Sequence, residues 1–363
     1  MTVARSHALE PHPLLQTLLV QARAAHASDV HLRSAQQPWM RVNGAMQPLL
    51  PNRTQPHDTP TRDAALTHAQ LHEALQATLG NDAWTQLQRD KEVDTAWSWP
   101  SLGRYRVNAF ACETGWGLVL RCIADQVPPL ATLHAPSALT GLLQGSGLVL
   151  VTGPTGSGKS TTLAAMLAHL NAHRALHVLT LEDPIEFLHR SDRCLITQRE
   201  IGRDSHAFAM ALRAALREDP DVLLVGEMRD LDTIRLALTA AETGHLVLAS
   251  LHSRHAAAAV DRILDVFEAA EKALIRTQLA ESLRGVLAQH LVPRADGTGR
   301  CALYELLMVT PAVRHLIREG KTAQIASAMQ TGAAHGMVTM AQSRLEAERA
   351  GRIATRADAA SET

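Results

Sequence analysis

The sequence has few aromatic residues, and its positive and negative charges nearly cancel. Only 3% of the 363 residues are Phe, Trp or Tyr, and the formal net charge is −1. A channel for single-stranded nucleic acid needs stacking aromatic side chains and a basic lining, so this composition argues against one. No overall charge attracts the chain to nucleic acid or to anionic lipid.

Cysteines and long apolar runs are also scarce. The four cysteines, Cys112, Cys122, Cys194 and Cys301, form neither a CxxC zinc pair nor a dense disulfide framework. We expect reduced thiols, most of them buried. No apolar run approaches the ~18 residues of a transmembrane helix, and the N-terminal stretch lacks the features of a signal peptide. The composition therefore predicts a cytoplasmic protein without a transmembrane segment.

Proline, glycine and changes in hydrophobic periodicity predict two domains in this chain. A helix, two strands with a turn-rich connection, a polar loop, a second helix and alternating strands are predicted at residues 14–27, 30–50, 51–63, 64–80 and 93–124. Two consecutive prolines, Pro128 and Pro129, then favour an extended linker within residues 125–133. We therefore expect domains at residues 1–128 and 129–363.

Beyond the linker, four apolar runs alternate with helical segments: GLVLVTG, LHVLTLED, DVLLVGE and GHLVLASL. Strands buried on both faces have such near-continuous apolar runs. Their alternation with helices is typical of a parallel sheet with helices on both faces. The second domain is therefore predicted to be α/β.

The stretch GPTGSGKST, residues 153–161, fulfils the phosphate-binding pattern G-x-x-x-x-G-K-[ST] between a strand and a helix. Its glycines allow successive N–H groups to point at phosphates, so a glycine-rich turn without a ligand is the weaker alternative. Lys159 is expected to reach the β- and γ-phosphates of ATP, and the Ser160 hydroxyl to ligate Mg²⁺. The residues predicted to bind ATP are Gly153, Pro154, Thr155, Gly156, Ser157, Gly158, Lys159, Ser160 and Thr161.

Two carboxylates follow apolar strands, at the sheet edge where ligands of α/β proteins collect. Glu227 is predicted to hold Mg²⁺ together with Ser160, either directly or through water. Glu182 is the candidate base that aligns an attacking water. The alternative for Glu182 is a surface carboxylate at a strand end, and its neighbours Asp183 and Glu186 are weaker candidates that could satisfy the turn.

The stretch GHLVLASLHS, residues 244–253, has a histidine on either side of a short apolar run. A metal pair, a phosphate sensor and a strand with incidental histidines are the alternatives. Seven residues of extended strand put His245 and His252 on opposite faces and about 20 Å apart, too far for one ion. His252, at the strand end beside the P-loop strand, is therefore the candidate γ-phosphate sensor, and His245 a structural or interface residue.

Several stretches resemble the motifs of one superfamily. LREDPDVLLVGEMRD is similar to the signature of the type II/IV secretion and type IV pilus ATPases, LEDPIEF to their Asp box and GHLVLASLHS to their His box. LALTAAETGHLVL and PAVRHLIREGKTAQIASAMQTGAAHGMVTM resemble the PilT-like pilus retraction ATPases within it. The resemblance begins at SDVHL and RVNG and covers nearly the whole chain. It implies a PAS-like α+β domain followed by a RecA-like P-loop domain with a helical C-terminal region.

The resemblance also implies a function, partners and further site residues. Such proteins are homo-hexameric rings that bind ATP between domains of different subunits, with arginines that reach the phosphates. Arg104, Arg106 and Arg121 match the segments that supply these arginines; the alternative is three solvated arginines on a strand face. A cytoplasmic motor peripheral to the inner membrane is implied, which drives pilus retraction and twitching motility through an inner-membrane platform protein. A paralogous pilus ATPase is a further partner of that kind.

The chain departs from the family pattern at a few positions. The His box ends in SLHS instead of TLHT, Tyr304 stands where a histidine is common, and Val313 and His315 replace residues of a C-terminal helix. None of these changes affects the P-loop, Glu182 or Glu227. The departures leave alternatives to a retraction motor open. They are a secretion or pilus-assembly ATPase, an accessory retraction paralogue, a non-catalytic ring component, and a nucleic-acid-dependent motor on the same fold.

Overall fold

The computed structural model describes residues 11–49, 65–123 and 126–355. The chain divides into two compact units between Asp125 and Gln126, close to the predicted boundary after residue 128. The predicted polar loop at residues 51–63 lies outside the described residues. None of the described helices has the length and apolar character needed to cross a membrane.

The N-terminal unit contains a six-stranded antiparallel sheet. Its strands are β1 (Asp29–Arg33), β2 (Trp39–Val42), β3 (Ala45–Pro48), β4 (Glu92–Trp99), β5 (Gly103–Cys112) and β6 (Gly115–Ile123), in the order β3-β2-β1-β6-β5-β4. Two helices, α1 (Pro13–Ala24) and α2 (His68–Asp90), accompany it. Exposed and buried residues alternate strictly along β4, so that Val93, Trp97 and Trp99 share one apolar core with leucines of both helices.

Two local predictions for this unit were incomplete. Residues 30–50 form three strands instead of two, because Asn43 and Gly44 make a tight turn between β2 and β3. Both residues have positive φ angles, 50° and 86°, which Asn and Gly adopt in two-residue hairpin turns. Helix α2 continues to Asp90 across a non-helical Gly80 instead of ending there.

The C-terminal unit is built on a seven-stranded sheet. Its strands are β7 (Gly147–Thr152), β8 (His177–Glu182), β9 (Leu195–Glu200), β10 (Val222–Val225), β11 (Leu246–Leu251), β12 (Leu283–Pro293) and β13 (Arg300–Met308), in the order β13-β12-β7-β11-β10-β8-β9. Only the β12/β13 pair of this sheet is antiparallel among the described residues. The helices are α3 (Leu139–Leu142), α4 (Lys159–His173), α5 (Phe208–Ala215), α6 (Leu231–Glu242), α7 (Ala256–Leu264), α8 (Lys272–Ser282), α9 (Pro311–Arg318), α10 (Ile325–Thr331) and α11 (Met340–Arg349).

The central strands of this sheet are buried on both faces, as their apolar runs predicted. All residues of β7, β10 and β11 are buried. Alternate residues of β7 belong to different apolar clusters: Leu148 and Leu150 to one, Val149 and Val151 to the other. Because helices contribute to both clusters, the predicted parallel α/β sheet is confirmed. Strands β9, β12 and β13 were not predicted, and all three lie towards the sides of the sheet, where polar residues interrupt the apolar pattern.

The predicted extended linker is partly wrong. Residues 129–135, the linker turn, fold back on themselves: the N–H groups of Thr132 and Leu133 donate to the Pro129 carbonyl, and that of Ala135 to the Leu130 carbonyl. All four cysteines are free thiols; Cys194 and Cys301 are buried, whereas Cys112 and Cys122 are half-buried.

Candidate active site

The sheet order brings four of the predicted functional segments to one edge. The P-loop follows β7, His252 follows β11, Glu227 follows β10 and Glu182 ends β8, and these four strands are consecutive neighbours in the sheet. Their parallel registers pair Thr152 with Leu251, and Val225 with both Ala249 and Leu181. Since the carboxyl ends of parallel strands meet at one edge, residues far apart in the sequence form one site.

The P-loop has the backbone that phosphate binding requires. Gly153, Gly156 and Gly158 all have positive φ angles, which turn the chain tightly before α4 begins at Lys159. A Cβ atom on Gly153 would lie 2.4 Å from the Gln289 carbonyl oxygen, so no other residue fits there. Inside the loop, the Ser157 hydroxyl is buried and has no hydrogen-bond partner among the described residues. An enclosed loop with an unpaired hydroxyl and the start of a helix suits an anionic ligand.

Lys159 folds over this loop. Its ammonium group donates to the carbonyl oxygens of Gly153 and Pro154, at 3.0 and 3.1 Å. Burial lowers the pKa of Lys159, and the carboxylates of Glu227 and Glu186 oppose that shift. Lys159 therefore lies close enough to both carboxylates for charge interaction, and Glu186 belongs to the surroundings of the site.

Glu227 lies among cationic and polar groups. Its Oε2 accepts a hydrogen bond from Arg229 at 2.6 Å, and its Oε1 lies 2.9 Å from His252 Nε2. Burial alone would raise the pKa of Glu227, but the bond from Arg229 and the charges of His252, Arg229 and Lys159 outweigh it, so that this pKa is lowered. Glu227 is therefore an ionised carboxylate. Both of its oxygens have protein partners, which fits a Mg²⁺ held through water better than one bound directly.

His252 lies where the strand pattern predicted, at the end of β11 between the P-loop strand and β10. The sequence did not indicate its contact with Glu227. The two serines that flank the histidine hold its loop to both neighbouring strands. Ser250 Oγ donates to the Gly226 carbonyl oxygen at 2.5 Å, and Ser253 Oγ lies 2.7 Å from Thr152 Oγ1 at the base of the P-loop. The serines of the SLHS sequence thus brace His252 on either side.

Glu182 has the opposite environment to that of Glu227. The Thr180 hydroxyl and the Gln198 amide donate to its Oε1, at 2.7 and 3.1 Å. Burial raises the pKa of Glu182 more than these two bonds lower it, and the nearby charges of Glu186 and Glu200 raise it further. A carboxylate with a raised pKa and a fixed oxygen has the properties of a general base.

His245 contacts the last turn of α6. It precedes β11 at the end opposite to His252, and its Nδ1 lies 2.9 Å from the Ala240 carbonyl oxygen in the last turn of α6. Thr243 Oγ1 lies 3.3 Å from the same nitrogen. In the described part of the chain, no group of three His, Cys, Asp or Glu residues could hold a metal ion. The two histidines lie at opposite ends of β11.

The three candidate arginines belong to the sheet of the N-terminal unit. Arg104 and Arg106 alternate along β5, as predicted, and Arg106 lies directly opposite Arg121 on β6. Arg121 Nε donates to Asp29 on β1 at 2.9 Å, while its side chain stays 70% exposed. Burial raises the pKa of Asp29, but the bonds from Arg121 and Ser28 outweigh it and lower that pKa. The guanidinium of Arg121 is thus held in place yet accessible to solvent.

Sequence reasoning missed Arg229, Thr152 and Gln289. Arg229 follows Glu227 by two residues, and this charge reversal after a strand end was the available signal. Thr152 is fully buried and also accepts the Ser253 N–H at 2.8 Å. Gln289, buried at 3% exposure, accepts a hydrogen bond from Thr162 of α4 at 2.6 Å. No local pattern shows that β12 would place Gln289 against the P-loop.

Comparison with known proteins agrees with this geometry. The profile of the family described as Type II/IV secretion system protein matches residues 7–298. The type IV pilus retraction ATPase PilT of Pseudomonas aeruginosa is 47% identical over 325 residues, 89% of this chain and 90% of that protein. The uncharacterized protein YggR of Escherichia coli K12 is 52% identical over 320 residues, 88% of this chain and 93% of that protein.

A solved structure is similar over most of both chains. The crystal structure of the pilus retraction motor PilT with bound ADP has a TM-score of 0.82 to this chain at 36% identity, with 95% of each chain covered. The predicted fold class, a RecA-like α/β ATPase domain with a smaller PAS-like N-terminal domain, is confirmed. Nucleotide binding and ATPase activity follow from the same relatives. The chain belongs to the type II/IV secretion system protein family and is a PilT-like ATPase.

Proposed function

We propose that this chain forms a hexameric, ATP-hydrolysing motor that powers type IV pilus retraction from the cytoplasmic face of the inner membrane. The similarity to a pilus retraction ATPase over most of both chains supports the direction of the motor. The observation that carries the mechanism is the 2.9 Å contact between His252 and Glu227, because it joins the loop beside the P-loop to the carboxylate of the next strand.

Residues 153–161 hold the nucleotide in this proposal. The backbone N–H groups of the loop and the start of α4 surround the phosphates, and Lys159 exchanges its two loop carbonyls for phosphate oxygens. The lowered pKa of Lys159 reflects burial, and a phosphate group would favour its charged form again. When bound, Mg²⁺ would neutralise charge on the β- and γ-phosphate oxygens, with Ser160 and Glu227 as its protein anchors.

Glu182 acts as the general base. Hydrolysis requires a water proton to leave as the water oxygen bonds to the γ-phosphorus and the bond to the ADP oxygen breaks. The Glu182 carboxylate accepts that proton, while Thr180 and Gln198 hold its Oε1 in a fixed direction. Its raised pKa favours the protonated state that forms when the proton is accepted.

His252 acts as the sensor of the γ-phosphate in this proposal. It lies between the P-loop strand and Glu227, so a change of charge at the γ-phosphate alters its interaction with Glu227. Ser253 and Ser250 carry that change to β7 and β10, respectively.

Arg104, Arg106 and Arg121 are proposed to reach the phosphates of a neighbouring subunit's nucleotide. The exposed guanidinium of Arg121, oriented by Asp29, fits such a role. Nucleotide can drive domain motion only when it binds two arrangements with different affinity, and a site shared between domains has that property. The motor would act on an inner-membrane platform protein, and a paralogous pilus ATPase would be a further partner.

Deletion of the gene and complementation with Lys159→Ala test this proposal. We expect cells that keep surface pili but lose twitching motility, and a purified variant without ATPase activity. Loss of pili would indicate a secretion or pilus-assembly ATPase. Unchanged twitching would indicate an accessory retraction paralogue, and strong stimulation of hydrolysis by single-stranded DNA would indicate a nucleic-acid motor.

A further inference from the structure

A buried row of polar side chains extends from the P-loop to the linker turn, residues 129–135, across the two strands at the side of the C-terminal sheet. Its members are Thr162 on α4, Gln289 on β12 and Tyr304 on β13, with 0%, 3% and 2% of their surfaces exposed. Burial of a polar group destabilises a fold unless the group is hydrogen-bonded, so the partners of these three side chains are informative.

The first contact connects Gln289 to the P-loop. Thr162 Oγ1 donates to Gln289 Oε1 at 2.6 Å from the first turn of α4. The other end of the amide, Nε2, would lie 2.8 Å from a Cβ atom on Gly158, and the Gln289 carbonyl oxygen 2.4 Å from one on Gly153. Gln289 therefore touches the first and last glycines of the phosphate loop and holds the helix that follows it.

The second contact connects Tyr304 to the linker turn. Tyr304 is paired directly with Gln289 in the antiparallel β12/β13 ladder, so their side chains project to the same side. The Tyr304 hydroxyl donates to the Leu133 carbonyl oxygen at 3.1 Å. Burial raises the pKa of Tyr304 to about 12, against a smaller opposite effect of the neighbouring Thr162 hydroxyl. Tyr304 is thus a neutral donor that contacts both α4 and the linker turn.

We propose that Gln289 is a positioning residue of the nucleotide site and that Tyr304 carries the state of the P-loop to the linker turn. In this proposal, nucleotide binding shifts α4 and with it Thr162. Gln289 contacts Thr162, and Tyr304 contacts the Leu133 carbonyl oxygen. The linker turn directly follows the boundary between the two units. The inference rests on nucleotide binding at the P-loop and is independent of a role in pilus retraction.

Three conservative substitutions in the full-length protein test this arrangement. Gln289→Met removes the amide at similar volume, Thr162→Val removes the hydroxyl, and Tyr304→Phe removes only the phenolic oxygen. Thr162→Ser keeps the hydroxyl. The matched control is Ser282→Ala, which removes a buried hydroxyl at the end of α8, directly before the first residue of β12. The readouts are the Kd of mant-ADP with Mg²⁺, KM and kcat for ATP, and amide hydrogen exchange of peptides covering residues 128–136.

We expect Gln289→Met and Thr162→Val to raise the Kd and KM about tenfold with a much smaller change in kcat, and Thr162→Ser to behave as the wild type. ADP should change hydrogen exchange of the linker turn in the wild type and in Ser282→Ala. Tyr304→Phe should bind mant-ADP normally and lose that change. A wild-type response in Tyr304→Phe, or a linker turn insensitive to ADP in the wild type, would overturn the coupling, and unaltered affinity in Gln289→Met would overturn the positioning. Absence of mant-ADP binding by the wild type would instead contradict the proposed nucleotide site itself.

Discussion

The ends of β8 and β10 are neighbours in the sheet, and each has a glutamate, yet the two carboxylates have opposite electrostatic surroundings. Glu182 is half-buried, accepts bonds from neutral donors and has a raised pKa. Glu227 contacts Arg229 and His252 and has a lowered pKa. Two glutamates can therefore have different chemical roles, because Glu182 can exchange a proton and Glu227 keeps its charge.

The pKa shifts also give the two carboxylates opposite effects on stability. The folded-state pKa of Glu182 lies above its ordinary value, so stability falls as the pH rises through that value and up to the raised pKa. The folded-state pKa of Glu227 lies below its ordinary value, so its contribution is present above that value and is lost on acidification.

The strongest test of the comparison is Glu182→Gln. We expect kcat to fall by about 10³-fold, because a general base contributes 10²–10⁴-fold and Gln cannot accept the proton. The Kd for mant-ADP should stay near the wild-type value. The control is Glu200→Gln at the end of the adjacent β9, where the side chain accepts the Ile185 N–H, as Gln can, and lies 3.7 Å from Arg203. Comparable losses in the two variants would exclude Glu182 as the base.

Removal of the partner of Glu227 should have a smaller effect. His252→Ala is expected to lower kcat by about 10- to 100-fold, the equivalent of one hydrogen bond to a charged group. His245→Ala removes the histidine at the other end of β11 and should reduce thermal stability without a comparable loss of kcat. If steady-state hydrolysis survives intact in His252→Ala while twitching is lost, the histidine couples hydrolysis to motion without assisting the chemical step.

The pH dependence distinguishes the two glutamates further. Activity should decline as the pH falls through the raised pKa of Glu182, because the base must be ionised. Thr180→Val removes a bond to the ionised form, so this acidic limb of kcat should move to higher pH. A limb that remains in place would mean that another group controls it.

The smallest expected effect concerns the loop after β11, which contains His252 and Ser253. Ser253→Ala removes the contact between the two hydroxyls but keeps the bonds of Thr152 to the Ser253 backbone, and should cost about 1 kcal/mol, or roughly 2–4 °C in Tm by differential scanning calorimetry. Ser253→Thr keeps the hydroxyl and should keep the Tm. Equal melting temperatures for the Ala and Thr variants would show that the hydroxyl does not brace the loop.

Local sequence predicted those parts of the site that a few consecutive residues define. The nine P-loop residues specify their own turn, and the apolar runs before Glu182, Glu227 and His252 predicted three strands with these candidate site residues at their ends. The contact between His252 and Glu227 depends on β11 lying between β7 and β10, and an order of strands has no local signal. Gln289 was missed for the same reason.

The edges of the fold were harder to predict than its centre. Parallel strands buried on both faces gave continuous apolar runs, whereas β9, LITQRE, mixes polar and apolar residues at the outer edge of the sheet. The hairpin at Asn43 and Gly44 did have a local signal, because an Asn-Gly pair between short strands favours a two-residue turn. The prediction of two strands within residues 30–50 did not use this signal.

Gly226 allows the backbones that carry the two glutamates to lie in contact. A Cβ atom there would lie 3.1 Å from the Leu181 carbonyl oxygen and 3.2 Å from Glu182 Cα, so the backbones after β8 and β10 touch where a methyl group would otherwise separate them. The hydrogen atom that Gly226 has in place of a methyl group therefore sets how closely the chain segments after β8 and β10 approach each other. Gly226→Ala would push Glu182, the proposed base, and Glu227, the proposed metal anchor, apart by a few tenths of an ångström, and catalysis depends steeply on distances of that size.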